Sequence, residues 1–157
     1  MDVVIYQRQP SSQLIPLFGE RIHAGFESPA TDYEEERIDL NDYVTKYPEA
    51  TFYARVIGNC MTGSGIYEGD LLVVNRSLVP ANGDVVVGVL DGEFILRCYI
   101  HTGRKEYLMP DNPRYRPIER TEETQFDIWG VVPHTILNQQ QRRHVRANRL
   151  QQLLRVL

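Results

Sequence analysis

Cysteine is scarce in this chain: Cys60 and Cys98 are its only two in 157 residues, and they lack metal-ligand spacing. That excludes a disulfide framework and a cysteine-based metal site, and it fits a reducing cytosol. Long apolar runs are missing as well. Nothing approaches the roughly 20 residues of a membrane-spanning helix, and the start, Met1 to Pro10, has no signal-peptide pattern. There is no repeat, low-complexity block or cofactor motif, so no cofactor or metal is expected. Positive charge is thin over most of the length: residues 1–137 carry 12 Lys and Arg against 21 Asp and Glu, a balance of −9. Such a body excludes broad contact with nucleic-acid phosphates, which needs clustered cations. What remains is ordinary: 42% apolar and 24% charged residues describe one soluble globular core with short tails.

The stretch around which the rest is organised runs from Gly58 to Asp70. Its four glycines sit between two apolar runs, 50–57 and 71–74. Glycine frees the backbone for tight turns and bares N–H groups that can face an oxyanion. Cys60 lies at the head of this turn, at the end of the preceding strand, a plausible place for a nucleophile. Spacing alone favours the plainer alternative, a small half-buried thiol in a connecting loop.

Residues 1–19 read as an arm. Within it Leu14-Ile15-Pro16-Leu17-Phe18 is a short apolar peptide that proline holds extended. It needs a groove on its own domain or on a partner. Ala24-Gly25 is the least hindered peptide bond nearby, in what otherwise reads as a bend. From Asp32 an acidic connector leads to a short helix, capped near Asp39 or Asn41 and ending before Pro48. Sheet signals follow at 51–57, 71–74, 85–90 and 94–100. Asp91-Gly92 between the last two is the strongest hairpin signal in the chain. A two-residue loop there pairs Leu90 with Glu93 and Val86 with Arg97, putting Arg97 on one face with Glu93, Ile95 and Tyr99. Gly88, diagonal to it, should leave space over the sheet. Met109 to Pro113 reads as a turn, 115–118 as a short edge strand, and 126–132 as a strand that Pro133 ends or marks as an edge. Residues 138–157 carry five arginines and no acid. Leu150, Leu153, Leu154 and Leu157 share one helical stripe there, so an amphipathic helix is expected to cover its own core or a dimer seam. Binding of a partner, a membrane or nucleic acid is the alternative.

Several of these motifs, in one order and spacing, resemble the LexA/UmuD autopeptidase family. They are Pro16-Leu17-Phe18, Ala24-Gly25-Phe26, Ser28-Pro29-Ala30, Ile38-Asp39-Leu40-Asn41, Gly58-x-Cys60-Met61, Gly69-Asp70-Leu71-Leu72-Val73-Val74, Gly83-Asp84-Val85-Val86, Asp91-Gly92-Glu93-Phe94 and Gly130-Val131-Val132. The likeness covers residues 14 to 137 and sits nearest to UmuD-type proteins, because too little chain precedes Gly25 for the DNA-binding domain of a LexA repressor. It implies a mainly β fold: a compact, signal-peptidase-like β domain over 32–137, an extended N-terminal arm over 1–31, and a C-terminal amphipathic helix over 138–157. It also implies a cytoplasmic homodimer in the SOS response to DNA damage. RecA filaments would promote its autoproteolysis between Ala24 and Gly25. The trimmed dimer would join a UmuC-type polymerase for error-prone translesion synthesis. Leu14 to Phe18 would correspond to the segment that meets the sliding clamp and processing proteases.

The family uses a serine nucleophile and a lysine base, and this chain has Cys60 and Arg97 at those positions. A desolvated lysine can take a proton and return it to the leaving amine. Arginine stays protonated and cannot. A thiol tolerates loss of the base better than a hydroxyl, since a neighbouring cation favours thiolate. His23 is the one other nearby donor to the departing amine. The expectation is therefore a UmuD-like accessory dimer that cleaves itself very slowly or not at all. Two alternatives stand beside it: a Cys60-dependent autopeptidase, and a LexA-related regulatory module acting through the basic tail.

Overall fold

Asp91 and Gly92 reverse the chain with φ of 51° and 78°, the double left-handed conformation that two-residue hairpins of this kind require. The computed structural model describes residues 12–17 and 36–157. In chain order the strands are β1 (Leu14–Leu17), β2 (Glu36–Asp39), β3 (Thr51–Arg55), β4 (Leu71–Asn75), β5 (Val85–Leu90), β6 (Glu93–Thr102), β7 (Lys105–Met109), β8 (Ile118–Glu119) and β9 (Phe126–Ile136). Helix α1 (Leu40–Val44) follows β2, and α2 (Arg143–Leu154) closes the chain. The fold is mainly β, as expected. Seven strands form one antiparallel sheet in the order β3-β4-β9-β5-β6-β7-β8, and β1 pairs with β2 in a separate ladder.

Register in the β5–β6 hairpin is as read from the turn, Leu90 opposite Glu93 and Val86 opposite Arg97. β5 is apolar throughout because both its faces are covered. Val87 joins Leu72, Val74, Leu96 and Val132 on one side. Val86 joins Tyr99, Leu108, Phe126 and Val131 on the other. α1 is capped by Asp39, whose carboxylate accepts from the Asn41 amide at 2.9 Å.

Several expectations need correction. Pro133 does not end its strand: β9 runs on to Ile136 between β4 and β5. Two β9 residues, Val132 and Pro133, stand against Val74 alone, because Asn75 pairs with Val131 and Val73 with His134. That bulge takes proline's missing donor out of the ladder. The space over Gly88 is filled, since a Cβ there would lie 2.9 Å from Leu108 Cδ1. The strand expected over 115–118 shrinks to Ile118–Glu119 on the sheet edge. The Leu14–Leu17 peptide pairs with β2 of its own chain, yet its leucines and Ile15 stay exposed. α2 covers no core among the described residues. Leu150, Leu153, Leu154 and Leu157 all face solvent. Among the described residues no helix is long and apolar enough to cross a membrane.

A polar cluster ties β6 to β7. The Tyr99 hydroxyl donates to Glu106 at 2.7 Å, and Arg120 pairs with the second carboxylate oxygen. The Tyr99 hydrogen bond, aided by the Arg120 charge, holds the Glu106 carboxyl below its usual 4.5. A depressed carboxyl stabilises the fold above the unfolded value, and that share disappears as pH falls through the folded value. Thermal melts between about pH 3 and 7 should show a larger acid-side loss in the wild type than in Glu106→Gln.

Candidate active site

Cys60 is pulled into the core by its neighbours. Met61 is fully buried and Ile66 nearly so, both against Leu72, Val74 and Leu96. Each such side chain contributes roughly 1.5–3 kcal/mol of burial, enough to pin a loop built on glycines. Across the loop lies the turn after β7. The Asp111 amide donates to the Cys60 carbonyl at 2.9 Å, and the Gly63 amide donates to the Asp111 carbonyl at 2.8 Å. Asn112 Nδ2 donates to the Asn59 carbonyl at 2.7 Å, and the Tyr115 hydroxyl donates to Asn59 Oδ1 at 2.6 Å. Gly63 is required by this approach, because a Cβ would come 2.7 Å from the Asp111 carbonyl oxygen.

β6 supplies the other half of the site. Next to the two-residue turn, Leu90–Glu93, Gly88–Ile95 and Val86–Arg97 are the pairs bonded to β5, so Leu96 turns its backbone groups the other way. On that side β7 ends at Met109, opposite Cys98. The Leu96 carbonyl is therefore left on an open edge, and two side chains reach it. Cys60 Sγ–H donates to it at 3.2 Å, and Arg97 Nη1 donates at 2.8 Å. These two distances limit the sulfur and the guanidinium nitrogen to a separation of at most 6.0 Å. Arg97 also lies over the Tyr115 ring, 5.6 Å from its centroid, a cation–π arrangement. Its Nε is buried without a hydrogen-bond partner, and among the described residues no carboxylate pairs with it.

Cys60, Arg97, Tyr115 and Asn59 thus wall one cleft of about 140 Å3, closed by Val56 and Leu96 among others. The cleft is chemically bare. Among the described residues none that lines it is His, Asp, Glu or Lys. Cys60 is 9% exposed, its thiol proton directed at a backbone carbonyl. The amides of Gly63, Gly65 and Gly69 are spent on Asp111, Thr62 and Val56. An oxyanion cradle, if the loop forms one, must use amides nearer Cys60. Leu14, Ile15, Pro16 and Leu17 stand in the separate β1–β2 ladder and do not line the cleft. Phe18, His23, Ala24 and Gly25 lie outside the described residues.

The family model described as Peptidase S24-like matches residues 16–133, most of the chain. The chain belongs to the Peptidase S24-like family. Among the S24-like relatives, SamA of Salmonella typhimurium is 43% identical over 130 residues, spanning 83% of this chain and 90% of that one. ImpA of Escherichia coli is 40% identical over 131 residues, covering 80% and 85%. MucA of Escherichia coli is 38% identical over 142 residues, covering 87% and 95%. The family resemblance read from the sequence is thereby shown. Sequence reading had found Cys60 and Arg97 in this S24-like chain, but not Asn59 or Tyr115. Pro110 and Pro113 marked their neighbourhood as a turn, and nothing local tells a turn which distant loop it will meet.

Proposed function

We propose that this S24-like protein is a UmuD-type subunit of SOS mutagenesis that works as an uncut cytoplasmic homodimer. Its arm would be residues 1–31, its body 32–137 and its tail 138–157. Its partners would be a UmuC-type polymerase and the RecA filament, with Leu14 to Phe18 offered to a sliding clamp or a processing protease. Family membership and the S24-like relatives support the class. One observation carries the claim about cleavage: the cleft that holds Cys60 has a guanidinium where a proton acceptor is needed.

Self-cleavage would join the nucleophile to the Ala24 carbonyl carbon and release the Gly25 nitrogen as an amine. A proton must leave the thiol and a proton must reach that nitrogen. A guanidinium is not a base at any pH a folded protein tolerates. It can stabilise an oxyanion, but it shuttles nothing. The Tyr115 hydroxyl donates to Asn59 and faces away from this task. Among the described residues the cleft offers no base that would cut a peptide held there.

Purified protein incubated with activated RecA filaments, or at alkaline pH, should keep its full mass. A prompt break after Ala24 that disappears in Cys60→Ala would overturn the proposal and establish a thiol-dependent autopeptidase instead. Co-purification of the uncut chain with a UmuC-type polymerase is the matching positive result. DNA binding that vanishes on deleting residues 138–157, with no polymerase retained, would favour a regulatory module.

A further inference from the structure

The family match stops at residue 133, but the chain does not stop touching the site there. Arg142, at the start of α2, reaches back to the far side of the Cys60 loop. Its Nη1 donates to the Gly65 carbonyl at 3.1 Å, its Nη2 pairs with the Asp70 carboxylate, and its guanidinium lies 4.3 Å from the Tyr67 ring centroid. Both members of the ion pair are withdrawn from solvent, their side chains 16% and 6% exposed. The same Asp70 oxygen accepts from the Tyr67 amide at 3.0 Å, so the carboxylate also closes the turn that ends the loop. Val145, one turn further along α2, is the helix residue most sheltered beside Arg142, and the two help wall a second cleft of about 200 Å3.

Asn59 lines both clefts. On one side it stands beside the tail, and on the other it holds Tyr115, over which Arg97 lies. A change in how the tail is fastened therefore has one residue to cross before it reaches the thiol. We propose that Arg142 is a positioning residue for Cys60: the tail is a strap, and its fastening to Gly65, Tyr67 and Asp70 sets how far the thiol is exposed. Unfastening leaves a buried carboxylate uncompensated, which is costly, and the loop relieves that by opening locally. Lysine at 142 would keep the charge but lose the planar fork that serves the Gly65 carbonyl and Asp70 together. The proposal rests on the reading of Cys60 as the reactive thiol of the site, but it does not require that the protein cut itself.

The test is the rate of alkylation of Cys60 by iodoacetamide in the full-length chain, followed by peptide mass. Cys98, half-buried in β6, serves as the internal control for general loosening. Arg142→Ala should raise the Cys60 rate about tenfold, which corresponds to roughly 1.4 kcal/mol, with Cys98 unchanged. Arg142→Lys should fall between Arg142→Ala and the wild type, and so should Asp70→Asn, which loosens the fastening without leaving a bare carboxylate. Equal rates at Cys60 in all variants, or a parallel rise at Cys60 and Cys98, would overturn the strap. A Cys60 that stays inert in every variant while Cys98 reacts would instead overturn its reading as the reactive thiol.

Discussion

Lysine at position 97 should wake the site: the double variant Cys60→Ser, Arg97→Lys is expected to cleave itself after Ala24 at least about 10²-fold faster than the wild type, within the 10²–10⁴-fold that a positioned general base contributes. The geometry for this is in place. Arg97 Nη1 sits 2.8 Å from the same carbonyl that Cys60 Sγ–H reaches at 3.2 Å. An amine carried into that space stands within reach of the residue-60 side chain. The half-closed cleft and its apolar walls push such an amine towards its neutral form. A neutral amine takes the hydroxyl proton as the Oγ attacks the Ala24 carbonyl, and then hands it to the Gly25 nitrogen as that bond breaks.

The two single variants separate the roles. Arg97→Lys alone should gain most of the effect, because the missing base is supplied and a thiol is an adequate nucleophile. Cys60→Ser alone should gain nothing, since a hydroxyl beside a guanidinium has neither a base nor intrinsic acidity to help it. Intact mass after incubation at alkaline pH, with and without activated RecA filaments, reads all three. A folded double variant that keeps its full mass would show that Ala24-Gly25 does not reach the cleft, and the explanation by a missing base would fall.

What could be read beforehand divides by range along the chain. The β5–β6 register was legible because Asp91-Gly92 fixes it within six residues on either side, and it placed Arg97 opposite Val86 correctly. The helix cap was legible to within two residues, as Asp39 or Asn41, for the same local reason, and it is Asp39. Cys60 and Arg97, which line one cleft, could be singled out as candidates only through the order of surrounding motifs, since a lone cysteine on a loop more often packs than reacts. β7 went unread, although Gly103 turns the chain with a φ of 57° between Thr102 and Lys105, because its sequence Lys-Glu-Tyr-Leu-Met is neither β-branched nor cleanly alternating. Gly88 was misread in consequence: the side chain filling its space, Leu108, comes from that same unread strand. The outward leucines of α2 were misread by analogy with helices that bury such a stripe. Here the docked side of the segment is Arg142 and Val145, where a sheltered ion pair replaces an apolar face.

Gly63→Ala should be the most damaging single methyl in the loop, although its backbone conformation gives no warning. Gly58, Gly65 and Gly69 all have φ between 77° and 90°, and a Cβ at any of them meets nothing within 4 Å. Alanine at those positions therefore carries only the left-handed strain, roughly 1–2 kcal/mol. At Gly63 the added carbon lands 2.7 Å from the Asp111 carbonyl oxygen, a backbone atom that no rotamer change can move. Overpacking of that kind costs about 1–3 kcal/mol. Relief requires the loop and the 110–115 turn to part. That breaks the Gly63–Asp111 and Asp111–Cys60 bonds at 2.8 and 2.9 Å, each worth roughly 1 kcal/mol. The sum is about 3 kcal/mol or more. For a domain of this size it corresponds to a midpoint lower by about 6–12 °C, against about 2–8 °C for Gly65→Ala. The parting also has a chemical readout. Asn59 and Tyr115 lose their fixed spacing, so Arg97 loses the ring it lies over, and Cys60 alkylation rises well below the melting transition. A Gly63→Ala protein that melts no earlier than Gly65→Ala, with Cys60 still protected, would mean that the turn does not hold the loop in place.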